Sequence, residues 1–206
     1  MIKRVFTALI TLLVVGLIFS AAWRERTFIF NKFLLSALSS ELAQPLVPNN
    51  ETRQQLDRTL DLEYVNGIQV IAVDFARNIR YSVYRSTNNR IIEASWTAYM
   101  STRTAIPLLF TSNEANNLRL ISIINGKFTC EAYTENIGAR IYPGSKTEIA
   151  EVCSQAIPPG FGEVIGYINF YSPVPLTEEQ RTELKNRAIE ISQSIFQENA
   201  RRFQLS

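Results

Sequence analysis

Cys130 and Cys153 are the only two cysteines in this 206-residue chain. No C-x-x-C spacing exists, which argues against a zinc site or a thioredoxin-type motif. Paired, they close a loop of modest length, worth about 3 kcal/mol in the chain-entropy model. Unpaired, they would pack as small hydrophobes. An even count in an exported domain favours the disulfide, and that pairing is the expectation taken forward. The chain has no histidine. Ser-His-Asp and Cys-His nucleophile pairs are therefore excluded, as is His-ligated zinc. The expectation is a non-enzyme with no catalytic residues, no cofactor and no metal.

Other candidate groups are weaker. Asp57, Asp61 and Glu63 form an acidic cluster beside Arg53 and Arg58, and a solvated helix face explains it better than a carboxylate pair. Ser145-Lys146-Thr147 lacks the leading glycines of a phosphate loop. Gly160-Phe161-Gly162 precedes a strand rather than a helix, so it is a turn and not a dinucleotide fingerprint. Tyr99, Tyr133, Tyr142, Tyr167 and Tyr171 could line a small-ligand pocket, or serve as sheet-face residues. Net charge is +2, with 21 basic and 19 acidic residues, so no nucleic-acid partner is expected.

The elements that would position these residues are α+β in order. Asn50 is placed to cap a helix carrying Leu56 and Leu60. Ile68–Phe75 is apolar on both faces, as in a central strand. Tyr81–Arg85 is a short strand or a helical turn, and Arg90–Met100 a helix. Leu118–Ile124, Asn125-Gly126 and Lys127–Thr134 predict a β-hairpin with a type I′ turn. Further strands are expected at Ile137–Tyr142, Glu148–Gln155 and Phe161–Tyr171. Thr177 and Gln180 make a capping box, and Leu184, Ala188, Ile191 and Ile195 form one stripe on the helix that follows. The expected fold is an antiparallel sheet with helices on one face, as in PAS or GAF domains, ending in a C-terminal helix.

Val5–Trp23 is an uncharged run of 19 residues. At 1.5 Å per residue it spans about 28 Å, close to the hydrocarbon thickness of a bilayer. Trp23, Arg24 and Arg26 are placed as membrane-interface anchors. A cleaved signal peptide is the alternative, with Ser20, Ala21 and Ala22 at the cleavage position. Flanking charge barely decides orientation; an oxidised cysteine pair favours the C-terminal part outside. The expected layout is a cytoplasmic tail at 1–4, a transmembrane helix at 5–23, a juxtamembrane helical segment at 24–62 and a periplasmic α+β domain at 63–206. The location is the inner membrane, single-pass, with the N-terminus inside. Phe28–Leu42 has helical spacing within the juxtamembrane part.

The exit Ala22-Trp23-Arg24, the run from Cys153 through Pro158-Pro159-Gly160 to Tyr171, and the helix after it resemble the holins of T-even-type phages. The four-residue tail is shorter than in that family. The resemblance implies a lysis protein that accumulates in the inner membrane, forms homo-oligomers and permeabilises the bilayer to release a muralytic enzyme. It implies a periplasmic domain that times the event, with an antiholin or another periplasmic protein as partner. Gly16, Ala8, Ser20 and Ala21 would permit close helix approach. The alternative is a membrane-anchored extracytoplasmic PAS/GAF-like module for ligand sensing or scaffolding. With the chain stopping at Ser206, any signalling output would need a separate partner.

Overall fold

The computed structural model describes residues 46–75, 77–102, 106–109, 114–134, 143–160 and 164–204. The run 5–23, with Trp23, Arg24 and Arg26, lies outside these residues, as do the expected helix at 28–42 and strand at 137–142. Among the described residues no helix is long and apolar enough to cross a membrane.

Among the described residues six strands form one antiparallel sheet: β1 (Gly67–Asp74), β2 (Ile79–Thr87), β3 (Ile106–Pro107), β4 (Thr129–Ala132), β5 (Glu151–Ile157) and β6 (Gly166–Ser172). Their order is β3-β2-β1-β6-β5-β4. The strands β1, β6 and β5 are central and almost wholly buried, which explains why their apolar residues occupy both faces. A bulge beside Val70 and Ile71 skips Val83 of β2 in the register.

Helices cover both faces, which corrects the one-sided arrangement expected. On the outer face, α1 (Asn50–Thr59) and the C-terminal helix α4 (Glu178–Gln204) pack Leu56, Leu184, Ala188, Ile191 and Ile195 against Ile68, Val70, Ile168 and Phe170. On the inner face, α2 (Arg90–Thr102) brings Ile92 and Trp96 onto Val152 and Tyr171. There too, α3 (Glu114–Ile124) packs Leu120 and Ile123 against Ile71, Ala156 and Tyr167. A sheet apolar on both faces exposes one of them unless helices lie on each side.

The expected hairpin at 118–134 is replaced by α3, a turn and β4. Its Asn125-Gly126 ends a helix instead of turning a strand. Gly126 N–H bonds Ile123 C=O (2.8 Å), and Lys127 N–H bonds Ser122 C=O (3.1 Å), the two bonds of a Schellman cap. Gly126 has φ +76°, the conformation that such a cap needs and that glycine adopts without penalty. Buried Asn116, Arg119, Leu120 and Ile123 recur at three, one and three, a helical period.

Two caps were nearly legible. Asn49, not Asn50, caps α1, its Oδ1 accepting from Thr52 N–H at 2.9 Å. At α4 the capping box forms as read: Thr177 N–H donates to Gln180 Oε1 (2.9 Å), and Gln180 N–H to Thr177 Oγ1 (3.3 Å).

Candidate functional site

Strand alternation places one polar row across the middle of the inner face. Gln69 on β1 is opposite Asn169 on β6, Asn169 is opposite Ser154 on β5, and Ser154 is opposite Thr129 on β4. Gln69, Asn169 and Ser154 are all buried beneath the inner-face helices. Buried polar groups need partners, and these find them in one another.

Arg119 of α3 completes the row from above. Its Nη2 donates to Ser154 Oγ and to Asn169 Oδ1, the latter at 2.9 Å. Ser154 Oγ also donates to Asn169 Oδ1 (2.7 Å). Asn169 Nδ2 donates to Tyr171 OH (3.1 Å), and Tyr171 OH to Gln69 Oε1 (2.9 Å). Arg119 is 5% exposed, and its Nε has no hydrogen-bond partner among the described residues. Among the described residues no carboxylate forms an ion pair with it. A guanidinium stays protonated in proteins, so this is a buried positive charge with no ion-paired carboxylate among the described residues.

A second arginine lies close by. Arg80 of β2, 3% exposed, donates from Nη1 to Tyr167 OH (2.9 Å) and from Nη2 to Asn116 Oδ1 (3.3 Å). Burial holds the Arg119 guanidinium below its usual pKa, and the Arg80 charge acts in the same direction; Tyr167, Tyr171 and Glu131 oppose it. Burial also raises the Tyr171 hydroxyl well above the usual phenol range. Glu131, two residues from Thr129 and on the same strand face, has its carboxyl raised by burial, with the Arg119 charge opposing.

Aromatic rings wall the site. Tyr171 packs on Trp96 with centroids 5.5 Å apart, and edge-on to Tyr133 at 6.0 Å. Of the tyrosines expected to line a pocket, Tyr133 and Tyr171 pack together on this face, and Tyr167 lies on the same face in a neighbouring cluster. Tyr142 and the Tyr99 side chain lie outside the described residues.

The remaining expected sites are dispersed. Cys130 and Cys153 are bonded, in direct cross-strand register on β4 and β5, and they point to the outer face. Asp57 accepts from Tyr84 OH (2.5 Å), while Asp61 and Glu63 are exposed, as a solvated surface requires. Ser145 is buried with its hydroxyl 3.1 Å from Tyr133 OH, so it serves packing and not a phosphate. A 160 Å³ cleft between α1 and α4, lined by Gln55, Arg58 and Glu190, is open and on the other face.

No family model matches the chain, and no curated protein does. Solved structures do match. The GAF domain of a two-component sensor histidine kinase from Bacillus halodurans superposes with TM-score 0.53 at 10% identity, covering 77% of this chain and 99% of that one. A GAF domain/HD domain protein from Geobacter sulfurreducens gives 0.53 at 11%, covering 77% and 98%. The described domain has a GAF-like fold. A GAF domain from Synechocystis, solved in its photoproduct state, gives 0.51 at 13%, covering 75% and 98%. Such identities establish the fold and leave activity to be argued from the site.

A strand at Leu118–Ile124 hides Arg119, because alternation gives it no place beside both Leu120 and Ile123. On a helix, Asn116, Arg119, Leu120 and Ile123 share one buried stripe. A cation and an amide at helical spacing with Leu120 and Ile123 are the available signal.

Proposed function

We propose that the chain is a membrane-anchored, extracytoplasmic ligand-sensing module, non-enzymatic, whose inner sheet face holds a small molecule. The single observation carrying this reading is the buried polar row with Arg119 above it, on a GAF-like fold. A polar, charged and ring-walled face beneath two helices is costly as core alone and fits a ligand site. Two of the structural neighbours come from a sensor kinase and from a GAF/HD protein, which supports sensing as the use of the fold. The bilayer is the tether, copies of the chain associate with one another, and nucleic acid is not a partner.

Two measurements test it. A small-molecule screen by thermal denaturation of the purified full chain should find compounds that raise Tm saturably, since a ligand bound only to the native state stabilises it. In cells, after reduction, a membrane-impermeant maleimide should label Cys130 or Cys153 in intact spheroplasts. Labelling only after lysis overturns the extracytoplasmic placement. Abrupt loss of membrane potential on induced expression would favour a permeabilising, holin-like protein instead; prolonged harmless accumulation supports the sensor.

A further inference from the structure

We infer that the inner face binds a small organic carboxylate through Arg119. This rests on the ligand-sensing reading and names the class of ligand. Arg119 is buried, and among the described residues its Nε–H has no acceptor and no carboxylate forms an ion pair with it. Its hydrogen-bonded neighbours, Ser154 and Asn169, are neutral. The Thr129 hydroxyl, on the strand position opposite Ser154, is also buried and has no partner among the described residues. An anion seated here would accept from both groups left over by the fold, and charge-assisted bonds of this kind are the strong ones.

The charge and surroundings select among anions. Arg119 is the guanidinium with a donor left over, while Arg80 close by is held by Tyr167 and Asn116, so one carboxylate matches the donor that remains. Tyr167, Tyr171, Tyr133 and Trp96 offer ring surface for an organic body. A phosphate dianion would bring a second charge and no use for the rings. Glu131 occupies the same strand face and interacts with Arg119 through space, so it acts as the internal competitor of the ligand.

The test uses the full chain in detergent micelles, titrated by calorimetry and thermal denaturation. Acetate, propionate and benzoate are compared with acetamide, propionamide and benzamide, and with inorganic phosphate. At least one carboxylate should bind saturably while its amide does not. Arg119→Gln should weaken that binding about tenfold or more, the value of one charge-assisted contact. Glu131→Gln should tighten it several-fold, and this variant decides the matter if Arg119→Gln fails to fold. Equal binding of acid and amide overturns the assignment, as does binding of phosphate alone or indifference to both substitutions. If no carboxylate binds but a neutral compound from the screen does, sensing stands and the carboxylate assignment falls.

Discussion

Arg119 of α3 and Asn169 of β6 are joined by a 2.9 Å hydrogen bond inside the domain, with no carboxylate ion-paired to the arginine among the described residues. Breaking a buried ion pair costs about 3–5 kcal/mol, because it strands a charge. Removing Arg119 breaks no ion pair among the described residues, and Ser154 still donates to Asn169. Arg119→Met should therefore leave the stability of the ligand-free chain within about 1 kcal/mol of the parent, or raise it. Urea denaturation decides; a loss above about 3 kcal/mol would make the guanidinium a structural strut.

Glu131 gives a prediction with a sign. Its carboxyl pKa is raised in the fold above the ordinary 4.5. The native state therefore holds the proton more tightly than the unfolded chain. That stabilisation is complete below pH 4.5 and is lost as pH rises through the higher native value. Glu131→Gln should be more stable than the parent at neutral pH, with the difference vanishing below pH 4.5. A constant difference across pH would mean that Glu131 does not titrate abnormally.

Tyrosines set the alkaline limit. Burial, then the hydrogen bond to Asp57, pushes Tyr84 up to about 12 from 10.0. Tyr64, Tyr81 and Tyr171 are raised as well, each chiefly by burial. The stability they contribute is full below pH 10.0 and falls between there and about 12, as the unfolded phenols ionise first. Tyr84→Phe should flatten part of that decline. Equilibrium unfolding at stepped pH measures it.

The cross-strand disulfide closes a 23-residue separation. Replacing both cysteines by serine should cost about 3 kcal/mol on the chain-entropy model. The bond also ties edge strand β4, which carries Thr129 and Glu131, to β5, which carries Ser154. Reduction should therefore weaken carboxylate binding as well as stability. Calorimetry with and without a phosphine reductant reads both effects.

Gly126→Ala tests the corrected end of α3. A Cβ there would lie 2.4 Å from the Gly160 carbonyl carbon, and φ is +76°. Both effects destabilise, by about 1–3 kcal/mol or more together. A neutral result would speak against the Schellman ending.

Much of the outer layer is legible in the sequence. The capping box at Thr177 and the stripe from Leu184 to Ile195 are local patterns, and local patterns survive folding. The central position of β1 followed from apolar residues on both its faces. The inner layer was not legible. Asn-Gly suits a hairpin turn and a helix end equally, since both need positive φ, and only packing of Leu120 and Ile123 under the sheet separates them. The polar row was invisible for a different reason. Gln69, Ser154 and Asn169 lie far apart in the chain, and register alone makes them neighbours.

Glu151 and Ser154 sit three residues apart on β5 and, by alternation, on opposite faces. Ser154 touches Arg119, while Glu151 accepts from Leu176 N–H (2.7 Å) and from Arg181 of α4 (2.7 Å). The strand thus joins the polar row on one face of the sheet to the root of a 27-residue helix on the other. At 1.5 Å per residue that helix is about 40 Å long, so a tilt of about 5° at its root would swing its far end by about 3.5 Å.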